Sequence, residues 1–395
     1  MKLAVIISGS DYHNFVGINK IAVTRAELLK KNYDYNVDFF YLECKYEKLC
    51  LRNFFSKELI HYTTIVNNRQ IHILQKKQFI SDNIIVSKFL RLYYKFTKKK
   101  ISDWEWQESL GKFIKNYDLI TAHFNDAALI AYGAKKRYGI PYCVTWHGSD
   151  IHTIPFNDSA AKVKTIEAIE NADHNFFVSK ALLAKSNELT PNGIKGVIYN
   201  SVDDRFIKFK DELRVSLRNK FNVTDCKVVS FIGNLIDVKN ASLLPEIFKK
   251  IQDEFHNRIT FWIIGEGNLH NKIDEKLKRF NLNAKMWGTV EPNEIPFLLN
   301  CTDVLILPSK NEGLPLVTIE ALRCGANVVG SRVGGIPEVI GDDYSITLNE
   351  DFVDNFSGKV IDLLYKSETQ HIPSFMTLES IVAAENSIYR NIKNS

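Results

Sequence analysis

The sequence predicts an α/β protein built of two doubly wound, Rossmann-like domains with parallel sheets. Its 395 residues exceed one ordinary core, because domains usually hold about 100–150 residues. Short apolar runs alternate with helical patterns in the first half of the chain, and the same alternation restarts after about residue 205. Continuous apolar strands separated by helices are typical of parallel sheets that helices cover on both faces. We therefore expect two such domains that face a central cleft.

The predicted elements follow the order strand, helix, strand in both halves. In the first half the expected strands are residues 3–8, 37–41, 119–122 and 142–146, with a helix over 19–31. In the second half they are residues 228–233, 259–265 and 304–308, with helices over 243–254 and 269–280. The chain turns polar near 202–211, so the expected boundary follows residue 203. A helical pattern over about 377–395 is expected to pack back on residues 1–203, which leaves 204–376 as the second domain.

Composition excludes several classes of protein. Hydrophobic residues make up 45% and charged residues 25%, which is typical of a globular protein rather than a disordered or fibrous one. The first residues predict a buried strand rather than a signal peptide, and no apolar stretch approaches the roughly 18 residues that cross a bilayer. The six cysteines show no CxxC spacing. We therefore expect a cytoplasmic protein, with the inner face of the cell membrane as the alternative location.

The stretch over 303–322 carries the clearest functional pattern. An apolar strand runs into a polar loop with Gly313, and Pro315 stands where a helix can begin. Free amides and the positive dipole at the start of a helix attract anions such as phosphate. Glu312 lies in the loop and Glu320 in the second helical turn, where their carboxylates could reach sugar hydroxyls and a ribose diol. A solvated helix face is the alternative for this acidic pair.

This stretch resembles glycosyltransferase family 4, whose members share the GT-B architecture and an E-x7-E signature. The resemblance implies that Glu312 contacts the transferred sugar and that Glu320 binds the donor ribose. It also implies that the amides of Gly313 and Leu314, just before Pro315, face the sugar and the phosphates. The resemblance continues through residues 326–340, which read Ala-Asn-Val-Val-Gly-Ser-Arg-Val-Gly-Gly-Ile-Pro-Glu-Val-Ile.

Further segments of the second half resemble the same family. Gly233 and Asn234 open a loop that leads to Lys239, where family members clamp the diphosphate with a lysine and usually an arginine. Asn234 stands where the arginine is usual, so one positive charge is missing, and a charge-assisted hydrogen bond is roughly twice as strong as a neutral one. The turn over 264–267 resembles a glycine-flanked acidic turn of the family, with ordinary strand-end turns as the alternative. A third segment, Gly288, Thr289 and Val290, resembles the family segment whose backbone contacts the nucleotide base.

Two loops of the first half are candidate site segments. His147 and Asp150 follow an apolar strand, and the resemblance implies that this histidine approaches the donor sugar and phosphate, while Asp150 orients the loop by hydrogen bonds. The segment from Gly9 to Gly17 joins the first strand to the first helix, and we expect it to shape the acceptor side, with a plain connecting turn as the alternative. No HxH or HExxH spacing is present, so no metal site is expected.

Residues 45–100 form a strongly basic segment, with 13 basic and three acidic residues. Basic residues there follow helical spacing beside apolar ones, namely Lys88, Arg91, Lys95 and Lys98 beside Ile85, Phe89, Leu92 and Phe96. Such a surface suits anionic headgroups, so we expect peripheral contact with an anionic membrane through residues 84–100. A solvated helix that covers the core is the alternative. No nucleic-acid partner is expected, because acidic residues outnumber basic ones by 27 to 23 over 201–395 and no recognition motif is present.

These patterns and the resemblance predict a retaining glycosyltransferase that needs no metal or other cofactor. It would move a sugar from a nucleotide diphosphate, UDP or GDP, to a glycan or a lipid-linked acceptor in bacterial cell-surface polysaccharide synthesis. Residues 1–203 would serve the acceptor and 204–376 the nucleotide sugar. The residues assigned to catalysis are His147, Glu312 and Lys239. A non-catalytic subunit of the same fold that binds a nucleotide sugar or a glycan is the alternative, and Asn234 favours it.

Overall fold

The chain divides into two units in the computed structural model, which describes residues 1–8, 18–50, 57–66, 69–97, 104–366 and 368–394. Unit 1 holds Met1–Val178, Leu182–Ile198 and Glu379–Ser395. Unit 2 holds Ser179–Ala181 and Tyr199–Leu378. Each unit has its own sheet with helices packed on it, and the predicted fold class is confirmed.

Unit 1 is built around an eight-stranded sheet in the order β3-β4-β2-β1-β5-β6-β7-β8. Its strands are β1 (Lys2–Ser8), β2 (Asn36–Lys48), β3 (Leu59–Val66), β4 (Arg69–Ile80), β5 (Leu119–His123), β6 (Tyr142–Trp146), β7 (His174–Phe177) and β8 (Lys195–Val197). Its helices are α1 (Ile18–Tyr33), α2 (Ile84–Thr97), α3 (Trp104–Ser109), α4 (Phe124–Tyr138), α5 (Ser149–His152), α6 (Ile154–Asn157), α7 (Ser159–Asn171) and α8 (Lys180–Asn187). The strands pair in parallel except for β3, which runs antiparallel to β4.

The central strands of unit 1 are buried along their length. Every residue of β5 and β6 is buried, because helices such as α4 lie against the sheet. Their carboxyl ends are adjacent, with His123 opposite Thr145 in the register of the pair. Helix α4 ends at Tyr138 and is capped by Gly139, whose left-handed conformation, with φ of 71°, suits a residue without a Cβ.

Unit 2 is built around a six-stranded, wholly parallel sheet in the order β11-β10-β9-β12-β13-β14. Its strands are β9 (Lys227–Ile232), β10 (Ile259–Ile264), β11 (Ala284–Gly288), β12 (Val304–Leu307), β13 (Asn327–Ser331) and β14 (Ser345–Ile346). Its helices are α9 (Asp211–Lys220), α10 (Leu244–Phe255), α11 (His270–Arg279), α12 (Ile295–Cys301), α13 (Leu316–Arg323), α14 (Ile336–Ile340) and α15 (Phe352–Tyr365). The core of this unit lies between the sheet and these helices, with Trp262 of β10 among its largest buried side chains.

The last helix, α16 (Leu378–Asn394), packs on unit 1 through buried polar contacts. The guanidinium of Arg25 donates to both carboxylate oxygens of Glu385, at 2.9 Å from Nε to Oε2 for one of the two bonds. The hydroxyl of Tyr389 lies 3.1 Å from both the Oε1 atom of Glu385 and the Oγ1 atom of Thr121. The C-terminal helix is therefore part of the core of unit 1. None of the helices in the described residues is long and apolar enough to cross a membrane.

Candidate active site

In unit 2 the loop after β12, residues 308–315, carries an ion pair that joins two of the predicted catalytic residues. The Nζ atom of Lys239 donates to the Oε1 atom of Glu312 at 2.6 Å, and the Oγ atom of Ser309 donates to the same oxygen at 2.7 Å. The side chains of Lys239 and Glu312 are 24% and 10% exposed, so the pair is partly shielded from water. The structure therefore brings Lys239 and Glu312 together.

Lys239 reaches this position because its own loop is fixed on the loop after β12. A short 3-10 turn spans Asp237–Lys239 and ends at Asn240, which is left-handed, with φ of 53°. The amide of Lys310 donates to the carbonyl of Val238 at 2.9 Å, and the Nζ atom of Lys310 lies 2.7 Å from Asp237 Oδ1. The backbone contact and the second ion pair hold the two loops side by side.

Two consecutive glycines allow the Glu312 loop to lie close to the segment after β13. A Cβ atom on Gly334, whose φ is 51°, would lie 1.8 Å from the carbonyl oxygen of Glu312. A Cβ atom on Gly335 would lie 2.3 Å from the carbonyl oxygen of Gly313, which accepts a 3.0 Å hydrogen bond from the Gly335 amide. The backbone of the candidate site therefore depends on the absence of side chains at both positions.

Helix α13 begins one residue later than the sequence predicted. Pro315 has an extended ψ of 118° and precedes the first helical residue, Leu316, so it serves as the N-cap. Its carbonyl accepts a 2.7 Å hydrogen bond from the Thr318 hydroxyl. Gly313 and Leu314 are buried just before the helix, and Glu320 is half-buried in its second turn. The glutamates of the predicted signature therefore lie on one loop-and-helix segment.

Three loops at the carboxyl ends of β9, β10 and β11 lie side by side. The amide of Gly233 donates to Ile264, and the amide of Gly265 donates to Gly288 at 2.8 Å. A Cβ atom on Gly265 would lie 2.1 Å from the carbonyl oxygen of Gly233, so these glycines allow a close backbone approach. Asn234 is exposed on the first of these loops. The structure thus brings Gly233, Asn234 and Gly288 to one edge of the sheet.

The segment after β11 is anchored by aromatic packing. Trp287 packs edge-on against Trp262 and Phe221, with ring centroids 5.3 and 5.6 Å away. The partly buried side chain of Val290 packs against the same hydrophobic cluster. Thr289 is exposed between them. This packing holds the backbone from Gly288 to Val290 beside the loops just described.

In unit 1 the histidine expected at the site is buried against a second histidine. The Nε2 atom of His147, just after β6, lies 3.1 Å from the Nδ1 atom of His123, the last residue of β5. The two rings stack with centroids 5.4 Å apart, and the Phe124 ring lies 4.7 Å from His147 on a tilted plane. Asp150 accepts hydrogen bonds from the amides of His147 and Gly148, the second at 2.7 Å. Asp150 therefore orders this loop by hydrogen bonds to its backbone.

Burial dominates the electrostatics of this loop. Burial, together with the positive charge of Arg25, lowers the pKa of His123 to about 3. Burial holds the pKa of His147 well below its usual value, and the neighbouring His123 and Arg25 lower it further. Burial raises the pKa of Asp150 to about 6, against the opposing effect of its amide hydrogen bonds. At neutral pH both imidazoles are therefore neutral, and the carboxyl is mainly ionised.

Some of the predicted positions lie outside the described residues. Gly9 and Gly17, expected to shape the acceptor side, are among them, as is Lys98 of the basic segment. Over the described parts of the chain, no group of three or more histidine, cysteine or acidic side chains could hold a metal ion.

Ser309 and His123 are site residues that the sequence reasoning missed. Ser309 follows a buried strand, and His123 ends a strand next to the one that leads to His147. Because the carboxyl ends of neighbouring parallel strands meet at one edge of a sheet, this placement was the available signal. Which side chain each would contact depends on loop conformation, and the spacing in sequence does not specify it.

The chain matches two glycosyltransferase families in tandem. Residues 65–206 match Glycosyltransferase Family 4, and residues 215–374 match Glycosyl transferases group 1. The chain is 30% identical over 231 residues to the N-acetyl-alpha-D-glucosaminyl L-malate synthase of Bacillus anthracis, which covers 57% of this chain and 59% of that protein. The chain thus spans less than two thirds of the length of this relative.

Two further proteins extend the comparison. The UDP-Gal:alpha-D-GlcNAc-diphosphoundecaprenol alpha-1,3-galactosyltransferase of Escherichia coli is 26% identical over 288 residues, 66% of this chain and 70% of that protein. The structure of Anabaena HepE in complex with UDP has a TM-score of 0.65 at 15% identity and covers 100% of this chain and 99% of that one, a likeness that shows the fold. Since the two family matches follow one another from residue 65 to residue 374, with only residues 207–214 unmatched between them, the chain belongs to glycosyltransferase family 4, with the GT-B fold.

Proposed function

We propose that this chain is a retaining glycosyltransferase that moves a sugar from a nucleotide diphosphate donor to a glycan or lipid-linked acceptor without a metal ion. One observation carries the proposal: Lys239 and Ser309 both donate to Glu312 Oε1 immediately before helix α13. This arrangement pairs a cation from one loop with a carboxylate on the loop that leads into a helix. Those are the groups that a diphosphate and a sugar need.

The difficult step is breaking the bond between the anomeric carbon and the diphosphate. Negative charge then develops on the leaving phosphate, and Lys239 together with the amides before α13 would stabilise it. In the free protein Lys239 is neutralised by Glu312. When a diphosphate binds Lys239 in place of Glu312, Glu312 would keep its hydrogen bond from Ser309. Its other oxygen would then accept hydrogen bonds from the sugar hydroxyls. Attack on the same face, guided by the leaving phosphate, would retain the anomeric configuration.

The remaining assigned residues would bind other parts of the substrates. Glu320 would accept hydrogen bonds from the donor ribose, while the backbone of Gly288, Thr289 and Val290 would meet the base. In unit 1 we assign His147 to a hydrogen bond with the substrate. The names of two relatives favour UDP, because one is an enzyme named for UDP-Gal and the other is a structure in complex with UDP. The first name also includes a lipid diphosphate, which supports a lipid-linked acceptor. We infer a role in bacterial cell-surface polysaccharide synthesis from the resemblance to the family.

The test begins with a thermal-shift screen of the full chain against UDP- and GDP-sugars, followed by nucleotide release with candidate acceptors. Glu312→Ala and Lys239→Ala should each lower the transfer rate at least about tenfold, a loss of roughly 1.4 kcal/mol of transition-state stabilisation. The matched control is the exposed ion pair of helix α10, Lys249 and Asp253, whose alanine variants should transfer at the wild-type rate. Near wild-type rates for the site variants would refute the assignment.

The same reactions decide the finer parts of the proposal. Binding of a nucleotide sugar without release of nucleotide would favour the non-catalytic subunit. A product of inverted anomeric configuration would rule out retention, and loss of activity on chelation that added Mg²⁺ restores would rule out metal independence.

We also place the protein at the inner face of the cell membrane, with helix α2 as its contact. One side of α2 packs on the protein through Leu90 and Tyr94, which cluster with Phe79. Its other side is exposed and apolar, with Ile85, Phe89 and Phe96 exposed to 79%, 66% and 81%. Exposed apolar rings beside Lys88, Arg91 and Lys95, all exposed, match the chemistry of an anionic bilayer surface.

Vesicle flotation tests this contact. The protein should float with vesicles that contain anionic phosphatidylglycerol and remain in solution with neutral ones. The triple variant Lys88→Glu, Arg91→Glu and Lys95→Glu should lose binding, since each basic residue near such a surface contributes about 1 kcal/mol. The control, with the same change of charge on exposed residues of α11, is Lys272→Glu, Lys278→Glu and Arg279→Glu. Equal binding to neutral vesicles, or equal loss in the control, would refute the contact.

A further inference from the structure

The junction between β5 and α4 has two locally unfavourable features, at His123 and at Phe124. The strand ends at His123 and the helix begins at Phe124, with no residue between them. His123 occupies the N-cap position but makes no capping hydrogen bond with its side chain, although Ser, Thr, Asp and Asn are the preferred residues there. Phe124 has a positive φ of 70°, which is unfavourable for a bulky residue and costs of order 1 kcal/mol or more.

Both unfavourable features direct rings onto His147. Instead of capping α4, the His123 ring stacks on His147, and its Nδ1 atom lies 3.1 Å from His147 Nε2. The strained Phe124 places its ring 4.7 Å from the imidazole of His147. Strain that is concentrated around one side chain is typical of functional sites.

The hydrogen bond between the rings couples their tautomers. In a pair of neutral imidazoles one nitrogen must donate and the other must accept. If His123 Nδ1 carries the proton, His147 must carry its own on Nδ1; if His147 Nε2 carries it, Nδ1 of His147 is a lone-pair acceptor. The state of His123 therefore determines what the other nitrogen of His147 offers.

That other nitrogen is buried and has no hydrogen-bond partner among the residues that the structure describes. A buried polar atom without a partner is unfavourable by roughly 1–3 kcal/mol, which a substrate hydroxyl could recover. We propose that His123 is a positioning residue that fixes the orientation and the tautomer of His147, so that His147 presents Nδ1 to the substrate. The proposal rests on the proposed transferase function only for the identity of that substrate.

Two variants separate positioning from packing. His123→Phe keeps a ring for stacking but removes the hydrogen bond, whereas His123→Asn keeps an amide group near the place of Nδ1. We expect kcat to fall about tenfold or more in His123→Phe, with the KM for the nucleotide sugar changed less than about threefold, and to recover largely in His123→Asn. His174→Phe, at the amino end of β7 in the same unit, is the matched control and should keep the wild-type kcat.

A second measurement does not depend on activity. Nitrogen NMR of the full chain labelled at histidine distinguishes the two neutral tautomers, and His147→Gln identifies the signals of His147. We expect one tautomer of His147 in the wild type and in His123→Asn, and a mixture in His123→Phe. Unchanged His147 signals in His123→Phe, or equal loss of kcat in the Phe and Asn variants, would overturn the proposal. If the wild type releases no nucleotide from any donor, the transferase function fails while the tautomer result still decides this inference.

Discussion

Ser309 holds the carboxylate of Glu312 independently of Lys239, and its contribution can be measured. Its buried hydroxyl donates to Oε1 at 2.7 Å, and loss of a hydrogen bond to a charged group costs roughly 1.5–3 kcal/mol. Ser309→Ala should therefore lower kcat about tenfold, because Glu312 would lose its remaining donor once a diphosphate takes Lys239. Steady-state kinetics with a UDP-sugar measures this.

The control for this residue is another buried serine of unit 2. Ser357 of α15 is 1% exposed, and its hydroxyl reaches the carbonyl of Ile247 at 3.4 Å. Ser357→Ala should leave kcat within about twofold of the wild type, since it removes a weak neutral hydrogen bond far along the chain from the candidate site. A loss of kcat equal to that of Ser309→Ala would show that the effect comes from folding rather than from Glu312.

The buried histidines predict how stability depends on pH. The folded pKa of His123 is about 3, below its usual value of 6.5, so folding favours the neutral ring. Its contribution is complete above pH 6.5 and is lost as the pH falls toward 3, by up to about 1.4 kcal/mol per pH unit. The free energy of unfolding should therefore fall more steeply between pH 7 and 5 in the wild type than in His123→Phe.

Urea unfolding at pH 7, 6 and 5 measures this slope. Asp150 acts in the opposite direction, because a raised pKa stabilises the fold at low pH, but it is present in both proteins and cancels in the comparison. His371→Phe, at an exposed position, should keep the wild-type slope. Parallel slopes for the wild type and His123→Phe would contradict the burial argument.

Among the elements, the loop that carries Glu312 depends on Gly334. An added Cβ would lie 1.8 Å from the Glu312 carbonyl oxygen, so Gly334→Ala must move one of the two backbone segments. We expect activity to fall at least about tenfold and the free energy of unfolding to drop by about 2 kcal/mol or more. Chemical unfolding and nucleotide release on the same protein measure both effects.

Gly341 separates the close contact from the backbone strain. It also has a positive φ, 84°, but a Cβ there would have nothing within 4 Å. Gly341→Ala should therefore lose about 1–3 kcal/mol from backbone strain alone, because its φ of 84° and ψ of 162° lie in a region that is essentially restricted to glycine, and it should keep its activity. If both variants lost the same stability and activity, the approach of the Glu312 loop to Gly334 would not matter.

The elements differ in how well the sequence predicted them. Strands such as β1, β5 and β12 were predicted within a few residues, because apolar runs bounded by polar turns mark buried parallel strands. Strand β2 was predicted only over residues 37–41 of Asn36–Lys48, and the long β4 and the antiparallel β3 were missed, since their segment is rich in lysine and polar residues. These strands are stabilised by pairing with their neighbours in the sheet, and the local sequence pattern does not show that pairing.

The candidate site divides in the same way. The resemblance marked Glu312, Lys239 and His147 as site residues. The roles of Ser309 and His123 became apparent only in the folded structure, because their contacts depend on the conformation of the loops. Asn234 lies on the first of the three adjacent loops, where the family usually has an arginine, and nothing in the structure explains the replacement.

At the scale of the whole molecule, the two units have separate cores, so the stability of each unit can be measured separately. The C-terminal helix α16 belongs to unit 1, where Arg25 and Glu385 form an ion pair with both side chains at most 3% exposed. A buried charge left without its partner destabilises a protein by about 3–5 kcal/mol, whereas replacement of both partners by apolar residues is often neutral. Proteins with two domains need not unfold in one step.

Glu385→Leu should therefore lower the stability of unit 1 by about 3 kcal/mol or more and leave that of unit 2 unchanged, because only unit 1 keeps an unpaired buried guanidinium. The double variant Arg25→Met and Glu385→Leu should recover most of the loss. Hydrogen exchange measured by mass spectrometry during urea unfolding follows the two units separately, through peptides of β5 and β6 for unit 1 and of β9 and β10 for unit 2. If β9 and β10 lost protection at the same urea concentration as β5 and β6 in Glu385→Leu, the units would unfold together and the assignment of α16 to unit 1 alone would fail.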